Sequence, residues 1–525
     1  MPQSFPAQAS FNQTLADHTG QPVTLYPESF RKHDDRWCGL VQTGTRKKLI
    51  VSGGAAAPFE SESTLQHTGR TLHLCPLTPA NAEALRHQFP WTAPVPLGKT
   101  SALGCGDRLG IASPGHIRAC RQVDVRPVLA QQSIREMERT ERTPQAVLDD
   151  ATWAVFQEGY AAGFGADADH LKTTDQIDAC VAAGYTMYTI DPSDYVDDEA
   201  DRLDDEALQK RFEALPWDRL DTSPAGTLAR YEDAFELSDA DGSLQVEFGP
   251  EAVQRSAVKY GAAIAHTNDM ARHLARRYRE DRPDASYDLE MSVDETDHPT
   301  RPHEHCFVAA ELDRLGVEVT SLAPRFTGDF EKGIDFIGNL DRFEASFRAH
   351  AAIAEAFGGY KLSIHSGSDK FSVYPIIGEY AGDHVHLKTA GTSYLEAVRI
   401  AARHDPGLFR EIVDFAFERF GEDKKTYHVS TDLNAIPNPT DVADENLETA
   451  YLEDDDGRQL LHITYGSALT ARDDGSFRFR DRLYRVLNEH EEEHYETLKL
   501  HLLDHIESVG QTFKGEQAGD VMDAS

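Results

Sequence analysis

From about Pro94 onward, short apolar runs alternate with longer stretches whose apolar residues recur at helical spacing, the pattern of βα units on a parallel sheet. Nine runs read as strands: Leu103–Ala112, Val125–Leu129, Phe164–Asp169, Tyr185–Ile190, Tyr287–Met291, Val317–Leu322, Lys361–His365, Val385–Lys388 and Tyr427–Thr431. Between them, Thr143-Pro144 opens a helix running through Trp153 to Tyr160. Leu340–Phe357 sets Phe343, Phe347, Ile353 and Phe357 on one helical stripe, which reads as core packing. The predicted architecture is an α/β fold, a (β/α)8 TIM-type barrel over residues 96–515. Nine strands for eight positions means one lies outside the ring, and the glycine-rich Leu103–Ala112 is the weakest.

Residues 1–95 read differently, as short strands cut by turns, such as Lys48–Val51 ended by Gly53-Gly54, and form a small β-containing region. The acidic stretch Asp194–Gly249, with Pro216, Gly226 and Gly242, interrupts the alternation and is expected to be an insertion on a βα loop. Tyr484–Ile506 reads as one charged amphipathic helix, and residues 516–525 as a frayed tail.

Charge changes the picture next. Among 525 residues, 52 basic side chains face 89 acidic ones, a formal charge of −37, which excludes a nucleic-acid binder acting through bulk charge. The 40% apolar content supports a large packed core. An acidic surface poor in lysine is expected of a protein from a high-salt cytoplasm; a melting temperature that falls as salt rises would count against it. The six cysteines show no CxxC pair, the start of the chain lacks a secretory pattern, and no run of 18 apolar residues occurs. A cytoplasmic protein without membrane contact is expected, and a homo-oligomer is compatible. Neither a GxxxxGK[ST] loop nor a strand-bound GxGxxG is present, which argues against nucleotide cofactors.

In a parallel barrel the working groups sit at the C-terminal strand ends. There the sequence repeatedly places imidazoles and carboxylates: Asp169-His170, Glu290, His365 and His386. An Asp at such a point can equally cap the next helix, and a lone histidine is often structural. Several together at separate strand ends suit a divalent cation instead, with His170, His365 and His386 as ligands, His384 on the same face by alternation as the alternative to His386, and Asp169 moving protons. His298, His303 and His305 are reserves, in or beside a Pro-rich loop. Gly367 would let the backbone approach a ligand closely. Arg325, Lys332, Lys370, Lys388 and Arg108 lie beside these groups; in so acidic a chain they suggest an anionic substrate, most simply a carboxylate.

Long runs carry a resemblance: Ser321-Leu322-Ala323-Pro324-Arg325-Phe326 with Phe330-Glu331-Lys332-Gly333-Ile334-Asp335, Lys361 through Phe371, His386 through Tyr394, and His428-Val429-Ser430-Thr431-Asp432. From about Gly104 to the C-terminus the chain resembles the tagaturonate/fructuronate epimerases of hexuronate catabolism. The Asp169-His170 step also resembles that of metal-dependent class II aldolases. The resemblance implies a barrel enzyme using one divalent cation, with Zn, Mn, Co and Ni undistinguished, to invert one carbon of a ketohexuronate. It implies Asp169 and Glu290 as the acid/base pair, and Ser133, Thr189, Arg325, Lys370 and Lys388 as substrate-binding residues. The inverted carbon lies β to the ketone, so its C–H is little acidified. Cleaving the neighbouring C–C bond instead leaves an enediolate that a cation can stabilise, which favours retro-aldol cleavage and re-closure. Alternatives are a class II type aldolase, an aldose–ketose isomerase on a sugar acid, or a catalytically silent sugar-acid sensor.

Overall fold

Eight parallel strands close into a barrel in the computed structural model, which describes residues 8–123, 125–232, 235–239, 242–246 and 248–510. The tail expected at 516–525 lies outside the described residues. Six strands precede the barrel and form an antiparallel sheet: β1 (Val23–Leu25), β2 (Arg31–His33), β3 (Arg36–Thr43), β4 (Arg46–Ser52), β5 (Ser63–His67) and β6 (Arg70–Cys75). A helix at Gln8–Thr19, unseen in the sequence pattern, and another at Pro79–Gln88 accompany this sheet.

The ring consists of β7 (Ala102–Gly104), β8 (Arg126–Ser133), β9 (Gly165–Leu171) and β10 (Met187–Ile190), followed after a hairpin by four more strands. The hairpin is β11 (Phe235–Asp239) with β12 (Gly242–Val246), within the acidic stretch that joins β10 to the long helix Pro250–Asp281. The last four are β13 (Asp288–Val293), β14 (Ser321–Pro324), β15 (Lys361–Ile364) and β16 (Val385–Lys388), and β16 pairs with β7 to shut the ring.

Three expectations are thereby corrected. The glycine-rich first run does enter the barrel, but only for three residues, because the chain turns away at Cys105 to build the Asp107 loop. Tyr427–Thr431 forms no strand; it is an irregular rim segment between helices. Likewise the expected helix Tyr484–Ile506 is two helices, Arg480–Glu489 and Glu491–Val509, separated at His490.

Strand alternation explains both the packing and the site. In β13, β15 and β16 the residues Leu289, Met291, Leu362, Ile364, Val385 and Leu387 join the apolar core beneath the surrounding helices. Their alternates Glu290, Ser292, Ser363, His386 and Lys388 fill the lumen, so this barrel has a polar interior near its C-terminal end. Beyond β16 the chain is mainly helical, and Leu395, Ile412, Leu460 and Leu461 belong to a second apolar core there. Helix Asp455–Thr470 reaches the barrel mouth with Arg458, Gln459 and His462.

Candidate active site

A cavity of about 330 Å3 opens at the C-terminal ends of the strands. At its floor, the pairing of β9 with β10 slips by one residue between Ala168 and Leu171, and His170 takes a left-handed backbone (φ 56°). That bulge breaks the pleat, so the adjacent Asp169 and His170 both face the cavity.

His170 and His365 approach with ring centroids 4.9 Å apart, and Asp294 lies between them. Asp294 Oδ1 is 3.1 Å from His365 Nδ1 and 3.8 Å from His170 Nε2. The far nitrogen of each ring is held by a second carboxylate: His170 Nδ1 lies 2.9 Å from Asp169 Oδ1, and His365 Nε2 lies 2.7 Å from Glu290 Oε1. Such outer carboxylates fix the orientation of metal-binding histidines and raise their basicity.

Lys388 ties the floor together. Its ammonium donates to Asp169 (2.7 Å) and Thr189 (3.0 Å), and lies 2.9 Å from both Asp167 and Glu290. Burial alone would raise these carboxyl pKa values. Lys388, His365 and His386 together outweigh burial at Glu290, and His170, Lys388 and His365 together do so at Asp169, so both are held well below the ordinary range. Asp167 is pushed up to about 6 by burial. Burial disfavours the charged imidazoles, yet Asp169 lifts His170 and Asp294 lifts His365 above their usual values. Four carboxylates thus surround one ammonium and two imidazoles, a donor set short of positive charge. His365 Nδ1 is also buried without a hydrogen-bond partner. Both observations fit a divalent cation held by His170, Asp294 and His365.

The remaining expected residues divide. Ser133 reaches the cavity edge while capping helix Ile134–Arg139, its Oγ accepting from Glu136 N. Thr189 lies below the cavity, donating to Asp167. Arg325 lines the rim. Glu290, expected as a catalytic acid/base, is fully buried beneath His365; Ser321 donates to its second oxygen at 2.5 Å, so it braces His365 and does not line the cavity.

Lys370 is corrected: its ammonium is enclosed by the carbonyls of Glu331, Ile334 and Ser368 and never reaches the cavity. His386 is corrected as well. It sits one pleat deeper than Lys388, with both ring nitrogens unpartnered, and is not part of the His170–Asp294–His365 group. Gly367 has a packing reason, since a Cβ there would stand 2.5 Å from Leu387 Cδ1. Among the reserves, His305 is buried against His350 and Tyr360, and His298 meets Arg202 at the surface. Asp294, a candidate ligand by its place in the His170–Asp294–His365 group, is absent from the expected set, although alternation from Glu290 through Ser292 aims it at the same side.

Working groups gathered at the C-terminal ends of the strands mark a (β/α)8-barrel enzyme. Residues 26–509 match the family model of tagaturonate epimerase, UxaE. A Thermotoga maritima protein named tagaturonate/fructuronate epimerase is 43% identical over 496 residues, covering 94% of this chain and 98% of that protein. The fructuronate-tagaturonate epimerase of Cohnella laeviribosi, solved with one glycerol, superposes with a TM-score of 0.86 at 40% identity, over 96% of this chain and 99% of that one. Its native structure gives 0.85 at 39% identity, over 96% and 100%. The chain belongs to the tagaturonate epimerase family and is an isomerase of the epimerase type. Among the described residues, no helix is long and apolar enough to cross a membrane.

Proposed function

We propose that the enzyme interconverts D-tagaturonate and D-fructuronate through retro-aldol cleavage and re-closure, using one divalent cation held by His170, Asp294 and His365. The observation that carries this reading is the pair of carboxylate-braced histidines converging on Asp294 at the cavity floor. When bound, the cation supplies Lewis-acid stabilisation of negative charge on substrate oxygens.

The chain's own groups do the rest. Asp169 is ionised and faces the cavity, so it takes the proton of the C4 hydroxyl as the C3–C4 bond breaks. The aldehyde fragment rotates, the C–C bond re-forms on its other face, and Asp169 returns the proton to the new hydroxyl. Gln131, donating to Asp169 Oδ2 at 3.1 Å, keeps that carboxylate turned toward the cavity. Glu290 is a positioning residue here, holding His365 and Lys388. Arg325 and Lys332, which line the cavity with no ion pair to a carboxylate among the described residues, supply attraction for the uronate. The six free, buried cysteines suit a reducing compartment, and we place the reaction in the cytoplasm.

Chelated protein incubated with tagaturonate should form fructuronate only after a divalent ion is restored. Full turnover by metal-free protein would overturn the cation assignment. In D2O the product should carry no deuterium at C4, because that C–H bond is never broken; deuterium there would replace bond cleavage with deprotonation.

A further inference from the structure

One segment of the cavity wall is built with more care than the reaction at its floor demands. Residues 331–334, in the connection after β14, are pinned from three directions. The Glu331 carboxylate accepts from Ser430 N, Ser430 Oγ and Gln459 Nε2, all at 2.8 Å. Lys370 donates to the Glu331 and Ile334 carbonyls, and Arg458 Nε donates to the Gly333 carbonyl at 2.7 Å. The side chain this clamp presents to the cavity is Lys332.

Lys332 differs from its neighbours. Arg108 is paired with Glu136 and stacked on Tyr465 at 3.7 Å, Arg135 is paired with Glu295, and Lys388 is surrounded by carboxylates. The Lys332 ammonium meets no carboxylate within ion-pair distance among the described residues, in a chain of charge −37. Burial lowers its pKa even against the pull of Glu136.

Beside it stands His462, fully buried at the cavity wall, with neither ring nitrogen hydrogen-bonded. Its ring packs against Gly391 and Gly333; a Cβ on Gly391 would come within 2.0 Å of His462 Cε1. Burial first, then Arg108 and Lys332, hold this imidazole well below its usual pKa, so it is neutral and keeps one N–H to donate. An unpaired ammonium and an unpaired N–H on one rigid wall are complementary to a carboxylate.

We infer that Lys332 and His462 form the subsite for the carboxylate end of the sugar acid, and that Lys370, Arg458 and Glu331 position it through the clamped segment. This rests on the uronate reading above and makes Lys332, more than the rim residue Arg325, the determinant of preference for acids over neutral sugars.

The test pairs binding with turnover. Galactonate and galactitol, an unreactive six-carbon acid and its neutral counterpart, are titrated calorimetrically into wild type, K332M, K332R, H462Q and R325M, each loaded with a divalent ion. K332M should weaken galactonate roughly 10- to 100-fold and galactitol less than about 3-fold. K332R should recover most of the loss, and R325M should lose less than K332M. With tagaturonate, KM should rise in K332M far more than kcat falls. Equal weakening of both ligands, unchanged galactonate affinity in K332M, or a larger loss in R325M would overturn the subsite. Should wild type bind galactonate through Lys332 yet not epimerise tagaturonate, the subsite stands and the reaction assignment falls.

Discussion

Among the described residues, two groups of one aspartate and two histidines bring their side-chain donor atoms together, and they are braced differently. At the cavity floor, His170, Asp294 and His365 point donor atoms at a common space, while Asp169 and Glu290 hold the outer ring nitrogens. Under the C-terminal helix, Asp369, His501 and His505 come equally close, with both imidazoles 3.6–3.7 Å from Asp369 Oδ1. There the ring nitrogens of His505 are already committed, although His501 Nε2 is not. His505 Nε2 accepts from the Asp369 backbone N–H at 2.9 Å, its Nδ1 donates to the His501 carbonyl at 2.8 Å, and Arg458 holds the other Asp369 oxygen at 2.8 Å. Residue composition is the same in both places. What separates the proposed metal site from the second group is that each of its imidazoles is braced by a close carboxylate and keeps a nitrogen turned to the shared space, whereas His505 has none left.

The largest expected difference follows from removing a ligand. H170Q, D294N and H365Q should each drop bound divalent metal from one per chain toward zero and reduce epimerisation on the order of 10³-fold. H501Q should keep its metal. Elemental analysis of dialysed protein alongside tagaturonate turnover reads both, and metal lost from H501Q would dissolve the contrast. A smaller effect is expected one layer out. E290Q leaves the three ligands in place but weakens the hold on His365, so metal affinity should fall roughly 10- to 100-fold. Excess metal should restore much of the turnover; a deficit that no metal concentration repairs would make Glu290 a participant in the chemistry.

Much of this contrast was legible in sequence, and the illegible part has a physical cause. Alternation along strands carries site information, so Asp169, His170, Glu290, His365 and Lys388 could be placed near one another from period and strand ends alone. Depth is harder to read. Lys370 and His386 share the strand-end vocabulary of the true floor residues, but one is capped by three carbonyls and the other lies a pleat lower. Neither fact has a local signature, because each is set by segments far away in the chain. The rim is harder still: His462 belongs to a helix whose own pattern says only that it is buried. The Tyr427–Thr431 expectation shows the same limit, since Tyr427 and Val429 rest half-buried against the helical core while their neighbours face out, an alternation that reads as a strand.

The second group should respond in stability. H505A leaves the Asp369 N–H buried without an acceptor, which should cost about 1–3 kcal/mol in urea unfolding while turnover with saturating metal persists.

H505Q offers a finer cut, because its side-chain oxygen can accept that N–H while removing a titrating group. Burial, assisted by His501, pushes the His505 pKa down to about 4, whereas the unfolded chain titrates near 6.5. Above pH 6.5 both states are neutral and the contribution is fully present. As pH falls from 6.5 toward 4 the unfolded state takes up a proton that the native ring refuses, so stability is lost over that window. Buried His116, His350 and His494, also near 4, behave alike and should make the protein acid-sensitive. Replacing His505 with Gln removes one share of that slope, about 1.4 kcal/mol per pH unit. Urea midpoints for wild type and H505Q at pH 7 and pH 5 should therefore converge at the lower pH. Parallel loss in both proteins would mean that His505 is charged in the native state, held so by the Asp369 carboxylate 3.6 Å away.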